Sequence, residues 1–185
     1  MAIEVVELGH PTLRKKALPI DDIFSNETET LIENLIHALK KHKGIGIAAP
    51  QIGVDKQLFI VAPYQEISAP YTNLDTGLIV INPTITLNTK QVTYEWEGCL
   101  SIPGLRGRIP RQCDITIEYT NKFGEIVHGH YKDFTARIFL HEYDHLEGRM
   151  FVDLIENPRT DLMTDAAYIQ LMDAADAEEE EEEAL

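Results

Sequence analysis

One stretch, residues 133–148, dictates much of what this chain can become. Ala136, Ile138, Phe139, Leu140, Tyr143 and Leu146 spread around much of a helical circumference instead of forming one stripe. A helix apolar on most sides must be surrounded, so the rest of the chain has to wrap it. Asp133 is the expected N-cap and Gly148 the expected stop. The same stretch contains His141-Glu-Tyr-Asp-His145, an H-E-x-x-H. Histidines four apart lie on one helical face, near enough to share a metal ion. Two idle surface histidines would be the bland alternative. Buried imidazoles, however, need partners to offset their desolvation, which favours the metal site. Neutral imidazole suits zinc, iron, cobalt or nickel. Glu142, to the side of that face, can handle a proton on activated water.

The elements around this helix are legible in outline. Residues 26–43 predict a first helix, with Asn26 as cap and Glu29 in the capping-box position. Leu31, Ile32, Leu35, Ile36 and Leu39 make its buried stripe, and Gly44 follows it. Residues 58–61 and 78–81 are short β-branched runs, with a surface loop expected over 62–77. Residues 115–119 and 125–131, separated by Asn121-Lys-Phe-Gly124, predict an antiparallel hairpin. A last helix is expected from Pro158 to about Ala175. Regular β-α-β alternation is missing. The expected class is therefore α+β: mostly antiparallel sheets around a central buried helix carrying H-E-x-x-H, with an N-terminal and a C-terminal helix.

The 185 residues suit one domain. Its formal charge of −15 is unevenly spread. Residues 156–185 hold eleven acids against the single base Arg159. The acidity therefore belongs to the end of the chain. Residues 1–176 are expected to form one catalytic domain, and 177–185 a solvated, disordered acidic tail. No basic patch suggests DNA binding, and no apolar run is long enough to span a membrane. The first residues lack the pattern of a secretory signal, so the expected compartment is the cytoplasm. Two cysteines, Cys99 and Cys113, do not make a disulfide framework.

A catalytic metal site needs a third protein ligand and one open position. Asp153, Glu156, Asp161 and Asp165 are candidates downstream. Upstream, Cys99 stands in Glu97-Gly-Cys-Leu-Ser101. Taken alone, Cys99 reads first as a small core residue. A third segment, Gly44-Ile-Gly-Ile-Ala-Ala-Pro-Gln51, follows a helix, which argues against a dinucleotide loop. It reads as a packed turn or as a backbone strip for an extended substrate, with Gln51 able to donate to an oxyanion.

Together the three segments resemble the peptide deformylase family. Its pattern is a glycine-x-glycine-x-Ala-Ala-x-Gln segment, then Glu-Gly-Cys-Leu-Ser, then a His-Glu-x-Asp-His helix. All three occur here in that order, within a resemblance from about residue 5 to 155 that includes Gly9-His-Pro-Thr-Leu-Arg14. The resemblance implies a hydrolase that removes the formyl group from the N-terminal formylmethionine of nascent chains. It implies Cys99, His141 and His145 as ligands of one divalent metal, Fe²⁺ first, with Zn²⁺, Ni²⁺ or Co²⁺ as substitutes. It implies Glu142 as acid/base, with Gln51 and the Leu100 backbone N–H polarising the formyl oxygen. Ile45, Gly46 and Gly98 would hold the peptide backbone, and Ile138 and Phe134, with Ile45, the methionine side chain. Leu140 stands where the family often has glutamine, which removes no ligand. The acidic tail lies outside the pattern. Carboxylates repel rRNA phosphates, which speaks against a ribosome contact through it.

Three other functions share part of this pattern. An endopeptidase would use H-E-x-x-H without requiring Cys99 or Gln51. A structural metal site in a binding module would be closed by four protein ligands. A relative that binds formylated peptides without turnover would not need Glu142.

Overall fold

The structure, a computed structural model, describes residues 4–62 and 77–183. Apart from its two end residues, the loop expected over 62–77 lies outside the described residues. Among the described residues there are three α-helices: α1 (Asn26–His42), α2 (Asp133–Leu146) and α3 (Asp165–Glu183). Five strands form one antiparallel sheet: β1 (Gly46–Ala48), β2 (Leu58–Val61), β3 (Leu78–Leu87), β6 (Asp114–Thr120) and β7 (Ile126–Lys132), side by side in that order. A smaller antiparallel sheet places β5 (Ile102–Gln112) between β4 (Val92–Cys99) and β8 (Leu162–Thr164).

The apolar runs in β2 and β3 now have a cause. Side chains alternate across a strand, and here both faces of the sheet are covered. Phe59, Val61, Leu78 and Val80 pack with Ala136, Phe139 and Leu140 of α2. Leu58, Ile60, Ile79 and Ile81 pack with Leu31, Leu35, Ala38 and Leu39 of α1. Register keeps these sets together, because Phe59 faces Val80 and Ile60 faces Ile79. α2 thus lies between the five-stranded sheet and the smaller one. Ten of its fourteen residues are buried, as its circumference of apolar side chains requires.

Several boundaries differ from expectation. Ser25 caps α1, not Asn26; its Oγ accepts the Thr28 N–H at 3.2 Å. Lys43 takes the left-handed position after α1 (φ 53°), and the Gly44 N–H closes onto the Leu39 carbonyl. Asp133 lies within α2, and no side chain caps that helix. Pro158 does not start a helix. Asn157 builds a turn there, its carbonyl accepting the N–H groups of Thr160 and Asp161, and β8 follows. α3 begins at Asp165 and remains helical to Glu183, through the acidic run expected to be disordered. No helix among the described residues is long and apolar enough to cross a membrane.

Candidate active site

β4 and β5 pair from Val92–Gln112 to Glu97–Gly107, then again at Cys99–Ile102, with an irregularity between. That break re-aims the end of β4 toward α2. Cys99 Sγ lies 3.4 Å from His145 Nε2. Cys99, His141 and His145 each offer a ligand atom, all within 4.8 Å of one another. The two imidazole rings meet edge to face, 5.1 Å between centroids. One thiolate and two imidazoles suit a borderline transition metal. Among the described residues the group has three members, the number that leaves a position open for reaction. The downstream candidates Asp153, Glu156, Asp161 and Asp165 are not part of it.

His141 is held from behind by a buried acid, whereas His145 Nδ1 is buried with no hydrogen-bond partner among the described residues. His141 Nδ1 bonds Glu97 Oε2 at 2.8 Å, which leaves Nε2 for an ion. Glu97 is a buried hub. It accepts from Arg111 through Nε (2.7 Å) and Nη2 (3.0 Å), and from Arg137 Nη1 (2.7 Å). Arg111 also donates to Asp144 at 2.7 Å, and Arg149 pairs with the same carboxylate. Burial works against the charge on Glu97, yet His141 and Arg111 outweigh it and hold the carboxyl well below the usual range. Burial also opposes a charge on His141, but Cys99 and Glu97 lift that imidazole above its ordinary value. His145 moves the other way, lowered first by burial and then by the His141 and Arg111 charges.

Glu142 is 3% exposed, and its Oε2 has no hydrogen-bond partner among the described residues. Burial raises its carboxyl to about 7, against the opposing pull of His141. A group that titrates there can take and return a proton near neutrality. A cation at the neighbouring trio would pull that value down again. β1 passes directly over this carboxylate. A Cβ at Gly46 would stand 2.3 Å from Glu142 Oε1, so only glycine fits.

Gln51 sits in a 3₁₀ turn (Ala49–Ile52) after β1. Its Oε1 accepts the Ala48 N–H at 2.8 Å. That bond commits Nε2 to donate, and it reaches Cys99 Sγ and Ser101 Oγ, each at 3.4 Å. Three distant segments therefore converge. The cleft at this point has a volume of about 600 Å³. Of the residues that the family resemblance implies for the site, all but the buried His145 border it: Ile45, Gly46, Gln51, Gly98, Leu100, Phe134, Ile138, Glu142 and the other two ligands. Ile45 and Phe134 are exposed, and Ile138 is buried.

Sequence reasoning missed Arg137. It is 3% exposed and donates to Glu97, to the Ile109 and Thr93 carbonyls and to Thr93 Oγ1. The signal was there: a lone arginine between Ala136 and Ile138, inside an otherwise apolar helical face. Trp96 also borders the cleft, as do Asp165 and Tyr168 of α3.

The chain is similar to known proteins in sequence and in fold. Residues 2–161 match the pattern of the polypeptide deformylase family. Peptide deformylase 2 of Nostoc sp. is 38% identical over 170 residues, covering 92% of this chain and 94% of its own. Peptide deformylase of Halothermothrix orenii is 36% identical, covering 83% and 93%. The crystal structure of peptide deformylase from Thermotoga maritima superposes with a TM-score of 0.74 at 30% identity, covering 85% of this chain and 99% of that one. Likeness of sequence runs through nearly the whole chain, and likeness of fold goes with it, so the chain belongs to the polypeptide deformylase family.

Proposed function

We propose that the deformylation of nascent chains, the activity of this family, is carried out here at the Cys99–His141–His145 trio with Glu142 as acid/base. The observation that carries this is the meeting of three donor atoms within 4.8 Å beside a buried carboxylate at a cleft. A divalent ion bound there acidifies water and polarises a carbonyl oxygen. Water adds through its oxygen to the formyl carbon while Glu142 takes its proton. Gln51 Nε2 and the Leu100 N–H donate to the oxygen as it gains charge; losing one such donor typically costs about 2.7–4 kcal/mol of barrier. The carbon–nitrogen bond then breaks. Glu142 returns the proton to the amine, and formate and a free N-terminus leave. Ile45, Gly46 and Gly98 line the peptide backbone in this scheme, with Ile138 and Phe134 against the methionine side chain.

Iron(II) is the proposed resident ion, with Zn²⁺, Ni²⁺ or Co²⁺ as substitutes. The donor set supports any of them. Residues 1–176 are the proposed catalytic domain, acting in the cytoplasm on N-formylmethionyl peptides. The acidic segment after it disfavours a ribosome contact through the C-terminus.

The test is anaerobic purification, metal analysis and formate release from formyl-Met-Ala. The wild-type protein should bind one ion and release formate, and leave unformylated peptides intact. Cys99→Ser should lose most of the metal. Glu142→Gln should keep it while turnover falls by orders of magnitude. Near-normal turnover in Glu142→Gln, or full metal retention in Cys99→Ser, would refute the assignment.

A further inference from the structure

The cleft has a second wall, made where α3 begins. Asp165 Oδ1 accepts from Arg106 Nε at 2.7 Å. The Arg106 guanidinium lies over the Tyr168 ring, 5.3 Å from its centroid. The Trp96 ring stands 6.1 Å from Tyr168, tilted by 56°. On its other side Arg106 presses against β4: a Cβ at Gly98 would lie 2.6 Å from Nη1. Arg106 therefore joins the backbone beside Cys99 to the first turn of α3. Trp96, Arg106 and Tyr168 all border the cleft, and both aromatic rings are half-buried.

The chemistry of this wall is specific. Asp165 already pairs with the Arg106 charge, so the guanidinium presents a flat face instead of a free cation. Two rings, tilted against one another, and that face make a polarisable wall. It suits an aromatic side chain, which gains from stacking geometry as well as from area. A volume of about 600 Å³ leaves room beyond one formylmethionyl group.

We propose that the first turn of α3 completes the substrate cleft, with Tyr168 as the specificity-determining residue for a peptide side chain beyond the formylmethionine, favouring an aromatic one. Asp165 and Arg106 act as positioning residues that hold the ring. The inference rests on the deformylase reading of the site.

The experiment compares formyl-Met-Ala-Phe with formyl-Met-Ala-Ala in the metal-loaded full chain. The wild-type ratio of kcat/KM should favour phenylalanine by about three- to tenfold, the range of an aromatic contact. Tyr168→Ala should bring the ratio near one, and Tyr168→Phe should preserve it. Metal loading cancels within each ratio. A second readout needs no turnover. Trp96 is the one tryptophan in the chain, so titration with the product Met-Ala-Phe should change the fluorescence, and Met-Ala-Ala should change it much less. A wild-type ratio near one, or a ratio that survives Tyr168→Ala, would overturn the proposal. If neither peptide releases formate, the deformylase reading fails, and the fluorescence titration alone decides the subsite.

Discussion

Gly46 shows how much chemistry a missing side chain can carry. Its Cα passes so close to Glu142 that a methyl group would sit on the carboxylate at 2.3 Å. Glu142 cannot retreat easily, because it is buried on a helix itself packed on most sides. Gly46→Ala should therefore displace the carboxylate or push β1 outward. Overpacking of this kind costs about 1–3 kcal/mol. The expected outcome is a lower denaturation midpoint together with a fall in kcat of at least tenfold, while metal content stays near one ion per chain. Wild-type kcat in that variant would mean that the carboxylate is free to move. The residue scale was also where the sequence spoke most clearly. His141, Glu142 and His145 declare themselves by spacing on one helix. Cys99 and Gln51 do not, because their part depends on contacts across about fifty residues of chain, and only the resemblance to a family brought them forward. Arg137 stayed hidden for a further reason. A buried arginine is justified only by the partners it meets, and Glu97, Thr93 and Ile109 lie on β4 and β5, far from α2 in sequence.

Among the elements, α2 bears the heaviest demand. It gives the site two imidazoles and the carboxylate on one side and packs the five-stranded sheet on the other. Phe139 holds the second role. Its ring stacks on Tyr131 (4.3 Å between centroids, 16° between planes) and meets Phe59 edge-on at 5.9 Å. Phe139→Ala should cost about 3–5 kcal/mol, since both transfer energy and a cavity are involved. Urea unfolding should show that loss as a lower midpoint with an unchanged slope, and a loss under about 1 kcal/mol would mean that the sheet collapses onto the helix. α1, α2 and the β6–β7 hairpin were legible because their signals are local: spacing, runs and turn residues. β4 and β5 were not. Pro103, Gly104, Gly107 and Pro110 look like breakers in a linear sequence. In the sheet Gly107 admits the Phe151 ring, which a Cβ would meet at 2.6 Å. Pro110 pairs with Tyr94 beyond the stretch where β8 covers β5, so its missing N–H breaks no second ladder. The element that carries Cys99 was therefore the one hardest to see.

For the molecule as a whole, charge and fold divide at different places. Helical backbone runs on to Glu183, but six consecutive glutamates repel one another at i, i+3 and i, i+4. They also place negative charge at the negative end of the helix dipole. Both effects oppose the helix they extend, and a glutamate run has no apolar surface to bury in compensation. Whatever stability α3 contributes must come from its first turns, where Asp165 meets Arg106 and Tyr168 meets Trp96. Ending the chain after Ala177 removes those six acids and takes the formal charge from −15 to −9. Changes confined to solvated surface usually stay within about 0.5 kcal/mol, so the melting temperature should hold within about 2 °C. Lower self-repulsion would move it upward if it moves at all. The ratio of kcat/KM for the aromatic and alanine peptides should also be unchanged, because Asp165 and Tyr168 remain. Calorimetry and the formate assay on one truncated protein read both. A melting temperature lower by several degrees would mean that the glutamate segment packs on the body of the protein, and that the catalytic unit extends beyond residue 177.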